Sequence, residues 1–145
     1  METRLNYAKV YPESLQAMLK MEEFAKQGGI EPVLYELIKI RSSQINGCAY
    51  CIDMHTKDLR AMGEAEKRIY LLDAWREATF YSEKEKAALE LTEKITKISE
   101  EGVPDETYER VRKHFGEKEF VALIILINTI NSWNRIAIST RMHAN

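Results

Sequence analysis

The sequence predicts an all-α fold, and three observations carry that expectation. Apolar residues recur at helical spacing along most of the chain. Glycine and proline punctuate these stretches where helices stop and start, at Gly28-Gly29, Pro32, Gly63, Gly102, Pro104 and Gly116. One segment, Val121 to Ile130, is rich enough in β-branched residues to be a buried strand, but no partner strand can be found for it. Its length favours a buried helix.

In order along the chain, Leu15, Met18, Leu19 and Phe24 roughly follow helical spacing, and Gly28-Gly29 stops that helix. Glu31-Pro32 opens a second helix, with proline at the first position, where its missing N–H costs nothing. Its apolar stripe is Val33, Leu34, Leu37, Ile38 and the stem of Arg41. Asn46-Gly47 breaks the pattern, and a third helix runs from about Cys48 to Met62, ended by Gly63. A fourth covers about Ala65 to Trp75. Ser82 and Glu85 form a capping box that starts a long helix through Leu89, Leu91, Ile95 and Ile98, ended by Gly102. Pro104-Asp105 starts another, to Phe115-Gly116. The last helix runs from near Glu117 to about Arg141 and is apolar on nearly all sides, so it belongs at the centre of the fold or at a subunit contact. The methionines at 18, 21, 54 and 62 read as core filler.

Residues 1–145 read as one domain, with no repeat, linker or low-complexity stretch. At this length a globular fold buries roughly 68–70% of its unfolded surface, so neither disulfide staples nor a metal is needed for stability. Hydrophobic residues make up 45% and charged residues 30%, an ordinary soluble balance. A net charge of −2 with no basic block argues against nucleic-acid binding. The longest apolar run, Phe120 to Ile127, is short for a membrane span, and the polar start Met1-Glu2-Thr3-Arg4 is not a signal peptide. The expected compartment is the cytoplasm. There, paired cysteines are more often redox or metal groups than structural bridges.

Chemistry concentrates at Cys48-Ala49-Tyr50-Cys51, with His55 four residues on and Glu36 twelve residues before Cys48. Residues three and four apart share a helix face, so Cys48 neighbours Cys51, and Cys51 neighbours His55. Unpaired N–H groups and the positive dipole end at a helix start favour a thiolate. Thiols in such settings ionise well below the free value of about 8.5. His55 could take or give a proton, and the Asn46-Gly47 turn could fold Glu36 back against the site as a proton store. Two inert packed cysteines, or zinc held by Cys48, Cys51 and His55, are the competing readings. Zinc needs a fourth ligand that no spacing supplies; His114 and His143 are not recruited.

Glu36-x11-Cys48-x2-Cys51-x3-His55, the text from Arg41 to His55, and Trp133-Asn134-Arg135 resemble the alkylhydroperoxidase D-like (AhpD-like) branch of the carboxymuconolactone decarboxylase superfamily. The likeness runs from about residue 13 to 141. It implies an all-α fold with the Cys-x-x-Cys pair at the start of a central helix, assembled into trimers or hexamers. It also implies a peroxidase without haem or flavin, which reduces hydroperoxides at the expense of a dithiol such as a lipoyl-carrying or thioredoxin-like protein. On this chain Cys51 would be the peroxidatic thiol, Cys48 the resolving thiol, and Glu36 and His55 a proton relay. Tyr50 stands where some members carry a histidine. The alternatives are a redox-sensing or disulfide-exchange module without efficient turnover, and decarboxylase-like chemistry, whose branch does not use a Cys-x-x-Cys pair.

Three further expectations concern the environment of the site. Cys48, in the first helical turn, should be the more exposed thiol and the target of an incoming reductant, with Cys51 one turn deeper. Trp133 should serve in core or interface packing. Asn128, Asn131 and Asn134 interrupt an apolar helix and need partners, either at the site or across a subunit contact.

Overall fold

The computed structural model describes residues 1–144, and every regular element among them is helical. A short helix α1 (Tyr7–Val10) leads into α2 (Pro12–Lys26), then α3 (Pro32–Asn46) and α4 (Ala49–Ala61). After these come α5 (Glu66–Tyr70), a 3₁₀ turn (Leu72–Ala74), α6 (Glu83–Thr96), α7 (Ile98–Glu101), α8 (Asp105–Arg112) and α9 (Glu117–Thr140).

Two helices form the centre. α3 is buried on all sides from Leu34 to Ile40, more completely than the one-sided stripe expected for it. It packs against α4, α6 and α9. α9 packs on α2, α3 and α6 through Leu123, Leu126, Ile127 and Ile130, so the β-branched segment is the helix its length favoured. By length and composition α9 could also cross a membrane, which the eight-residue apolar run did not suggest. Here Leu123, Leu126, Ile127 and Ile130 are buried against neighbouring helices, while Val121 and Ile138 stay exposed. α2 and α9 approach so closely that a Cβ on Gly28 would lie 2.8 Å from the Cβ of Ala122.

The core divides into two larger clusters. One joins Leu34, Ile38, Leu91, Val111, Phe115, Leu126 and Ile127. The other joins Leu37, Ile40, Leu59, Ile69, Leu72, Trp75 and Leu89. A small third cluster, described below, holds the cysteines.

Several boundaries differ from the sequence expectation. The helix expected over 65–75 breaks after Tyr70 into the 3₁₀ turn. Its buried residues, Ile69, Leu72 and Trp75, fall in steps of three, the period of a 3₁₀ rather than an α-helix. The helix expected to reach Gly102 bends at Lys97 (φ −104°, ψ 41°), which leaves Ile98 exposed. Arg41 does not pack by its stem alone; its Nε donates to Glu93 Oε2 at 2.9 Å. Phe24, Met54 and Met62 are exposed rather than core residues.

Candidate functional site

The α3–α4 connection positions the thiols. Gly47 takes the left-handed conformation (φ 71°). Its N–H bonds to Gln44 O, and the Cys48 N–H to Ser43 O at 2.9 Å, the two bonds of a Schellman motif. Chain direction therefore reverses at one residue, which glycine alone adopts without strain. Cys48 follows as the extended N-cap of α4, one position outside the helix rather than in its first turn, and its Sγ accepts the Cys51 N–H at 3.3 Å. Cys48 and Cys51 are joined as a disulfide, with their Cα atoms 5.3 Å apart.

The same turn is held from α9. Asn46 Nδ2 donates to Asn131 Oδ1 and to Asn134 Oδ1, both at 2.9 Å. Asn134 Nδ2 donates to Ser43 Oγ at 3.0 Å, and Asn131 Nδ2 to Ile127 O and Thr96 Oγ1. Two of the three asparagines that interrupt α9 thus fasten it to the end of α3, directly before the thiols. Arg135 is exposed and forms no ion pair among the described residues.

His55 and Glu36 meet as their spacing allowed. Both are buried, and His55 Nδ1 lies 2.8 Å from Glu36 Oε2. A carboxylate acceptor keeps the proton on Nδ1 and leaves Nε2 as the free nitrogen. Asp58 Oδ2 stands farther off, 3.9 Å from the same Nδ1. Glu36, His55 and Asp58 bring donor atoms within 4.8 Å of one another and could share a cation. With the two sulfurs bonded to each other, neither Cys48 nor Cys51 is a thiolate ligand in this structure.

The expected order of exposure is reversed. Cys48 is 1% exposed and Cys51 4%. Both cluster with Ala137, and Tyr50 and Met142 pack against them. Only Cys51 of the two lines a cavity of about 320 Å³, together with His55 and Glu22. Its remaining walls are mostly apolar: Leu19, Met54, Trp133, Ala137 and Met142, with Tyr7 and Tyr50 completing them. Trp133 is therefore a cavity wall rather than simple packing. The first residues reach the site because Arg4 N–H donates to Thr140 O at 3.0 Å and Arg4 Nη1 to Ser139 O at 3.1 Å. Tyr7 and Tyr50 lie close enough that burial and the neighbouring phenol together push the Tyr7 hydroxyl up.

Behind the cavity lies a buried ion pair that no motif announced. Lys39, 1% exposed, donates to Glu22 Oε1, and Tyr35 Oη donates to the same oxygen at 3.1 Å. Burial raises the Glu22 carboxyl, but Lys39, Tyr35 and the nearby Trp133 indole outweigh it and hold the group below its ordinary value. Burial pulls the Lys39 ammonium down, and Glu22 opposes that. One signal was present in the sequence. Within Val33–Ile40 the charges are Glu36 and Lys39 alone, and a lysine in a helix buried on all sides must find an acid.

A helical domain with a Cys-x-x-Cys pair at the start of a central helix is the architecture of the AhpD-like fold. The sequence profile of the carboxymuconolactone decarboxylase family matches residues 12–94, and the chain belongs to that family, within its AhpD-like branch. It is 56% identical over 139 residues to the uncharacterized protein YdfG of Bacillus subtilis, covering 96% of this chain and 95% of that one. A crystal structure from Agrobacterium tumefaciens, described as a protein of unknown function and a candidate antioxidant defence protein AhpD, superposes with a TM-score of 0.96. It shares 43% identity, with 99% of each chain covered. The likeness to an alkyl hydroperoxide reductase AhpD, from Acidobacterium capsulatum, is local: 42% identity over 53 residues, 37% of this chain and 28% of that protein.

Proposed function

We propose that this protein is a thiol-dependent peroxidase that reduces organic hydroperoxides through Cys51 and Cys48, with His55 and Glu36 moving the protons. The observation that carries the reading is the cavity: Cys51 opens into an apolar chamber with His55 beside it, and His55 is oriented by Glu36. A thiolate at Cys51 attacks the terminal oxygen of the hydroperoxide. The O–O bond breaks, the alkoxide takes a proton from the relay and leaves as an alcohol, and Cys51 becomes a sulfenic acid. The Cys48 thiol then displaces water from it and forms the disulfide. A dithiol, on a lipoyl-carrying or thioredoxin-like protein, supplies the two electrons that restore the thiols.

Burial of Cys48 alters the expected route of reduction. The sulfur within reach of a reductant is the one that lines the cavity, Cys51. Attack there releases Cys48 as the leaving thiolate. At the N-cap of α4 it accepts the Cys51 N–H and faces the positive end of the helix dipole, which makes it a good leaving group.

The test is peroxide consumption with several dithiols. The wild type should turn over. Cys51→Ser should lose the first oxidation step. Cys48→Ser should consume about one peroxide per subunit and stall as a sulfenic acid at Cys51, because no partner remains to form the disulfide. Absence of turnover with every dithiol, beside reversible oxidation of the pair, would move the protein to the redox-sensing reading.

A further inference from the structure

Asn131, Asn134 and Ala137 follow one another at helical spacing along α9 and meet the α3–α4 connection. Asn131 Oδ1 and Asn134 Oδ1 accept the Asn46 amide N–H groups, each at 2.9 Å. Ala137 clusters with Cys48 and Cys51. One stripe of one helix therefore holds the residue before Gly47 and packs on the thiols after it.

The amide network is closed. Asn134 Nδ2 donates to Ser43 Oγ, which donates its own proton to Lys39 O at 2.7 Å. Asn131 Nδ2 donates to Ile127 O and Thr96 Oγ1. Turning either α9 amide over would set its NH2 group against Asn46 Nδ2. The members are thus satisfied in one arrangement, and Ser43, Asn131 and Asn134 are buried. A fully satisfied buried network holds its members to a single geometry.

Cys48 depends on that geometry. It belongs to neither neighbouring helix, since α3 ends at Asn46 and α4 begins at Ala49. Its N–H donates to Ser43 O, and its C=O accepts the Ile52 N–H, both at 2.9 Å. Cys51 is placed by α4 itself. Once the disulfide is reduced, the position of Cys48 relative to Cys51 rests on the turn at Gly47, and glycine restricts its own rotation least of all residues. The amides of α9 set the turn from outside. They hold Asn46 directly, and they hold Ser43, whose carbonyl holds Cys48.

We propose that Asn46, Asn131 and Asn134 are positioning residues for Cys48: they keep its reduced thiol against Cys51, which favours the disulfide and sets the reduction potential of the pair. The kinetic consequence rests on the peroxidase reading. There the same pre-organisation speeds the attack of the Cys48 thiol on the Cys51 sulfenic acid, because a thiol already in place loses little freedom on reacting.

The potential is measured on the full chain by equilibrium with glutathione, in which the protein dithiol and glutathione disulfide give the protein disulfide and two glutathione thiols. Asn46 is half-buried, so Asn46→Ala removes the donor without opening the core. Asn134→Leu removes its buried partner. Each should lower the equilibrium constant for disulfide formation about tenfold, as expected for one buried hydrogen bond, and so raise the potential by about 30 mV. The double variant should shift it no further than the larger single one, since both act through one contact. Val111→Ala, a core truncation on α8, should leave the constant within about twofold of wild type, because a loss of stability shared by both redox states cancels. With peroxide, Asn46→Ala should form the Cys51 sulfenic acid at the wild-type rate and resolve it about tenfold more slowly. An unshifted or lowered potential in Asn46→Ala overturns the inference, whether or not Asn134→Leu folds. An equal shift in Val111→Ala, or shifts that add in the double variant, overturn it as well. A raised potential in Asn46→Ala, in a protein whose wild type does not consume peroxide, rejects the peroxidase reading alone. Peroxide turnover with an unshifted potential in Asn46→Ala rejects this inference alone.

Discussion

At Cys51 the proposed chemistry draws on neighbours from different helices. His55 comes from one turn further along α4, and Glu36 from α3. Their hydrogen bond orients the imidazole, and His55 and Cys51 line one cavity. General acid–base help of this kind is worth typically about 10²–10⁴-fold. Glu36→Gln and His55→Gln should therefore slow the first oxidation of Cys51 by about 10²-fold or more. Disulfide formation by an added oxidant such as diamide should stay near wild type, because that reaction does not use the relay. Stopped-flow measurement of peroxide reaction on reduced protein checks both, and unchanged rates in the two variants would remove the relay from the mechanism. Cys48, Cys51 and His55 were legible in the sequence because their spacing is helical and local, and Glu36 through the resemblance of Glu36-x11-Cys48 to the family pattern. Glu22 and Tyr7 were not. They reach the cavity through the packing of α2 on α9 and the pinning of the first residues to the end of α9, contacts that span most of the chain.

Among the elements, α6 is tied to its surroundings by carboxylates. Glu85 accepts from Arg68 at 2.6 Å. Glu90 accepts from Arg110 at 2.5 and 2.9 Å, and from Thr107. Glu93 accepts from Arg76, Arg41 and Trp75. For Glu85 and Glu93 burial pushes the carboxyl up, and the arginines and other donors outweigh it; for Glu90 the Arg110 bond leads. All three end below their ordinary value of 4.5. A carboxylate whose folded pKa is depressed stabilises the fold above its unfolded pKa, and that stability is lost as pH falls through the folded value. Stability should thus hold down to about pH 4.5 and decline below it, with each group contributing about 1 kcal/mol or less after solvent screening. Urea melts at a series of pH values would show this, and a midpoint unchanged between pH 5 and 3 would contradict it. The capping box at Ser82 and Glu85 was readable from two residues; that Glu85 also holds Arg68, seventeen positions away, was not.

At the scale of the molecule, most of the apolar segment 121–130 is consumed within one chain. Leu123, Leu126, Ile127 and Ile130 are fully buried. Exposed apolar residues on the two packed helices include Val121 and Ile138 on α9 and Leu19 and Phe24 on α2. Exposed apolar surface, where it is contiguous, commonly marks an interface. The protein is expected to form a homo-oligomer that covers α2 and α9, so light scattering should give a multiple of 16.9 kDa, and Phe24→Glu should lower the mass. A mass of 16.9 kDa for the wild type at micromolar concentration would refute the expectation.

The amino-acid sequence by itself determined the helical class, the turn before the thiols and the four residues Glu36, Cys48, Cys51 and His55. The class and the turn are set by period, glycine and proline, the two cysteines and His55 by spacing within one helix, and Glu36 by the family pattern it resembles. It could not determine that Cys48 is the more enclosed thiol, that α5 gives way to a 3₁₀ turn, or that Glu22 lines the cavity beside Cys51. Each of those was decided by how distant helices close on one another. Burial, unlike helical phase, is a property of the surroundings that the whole chain builds.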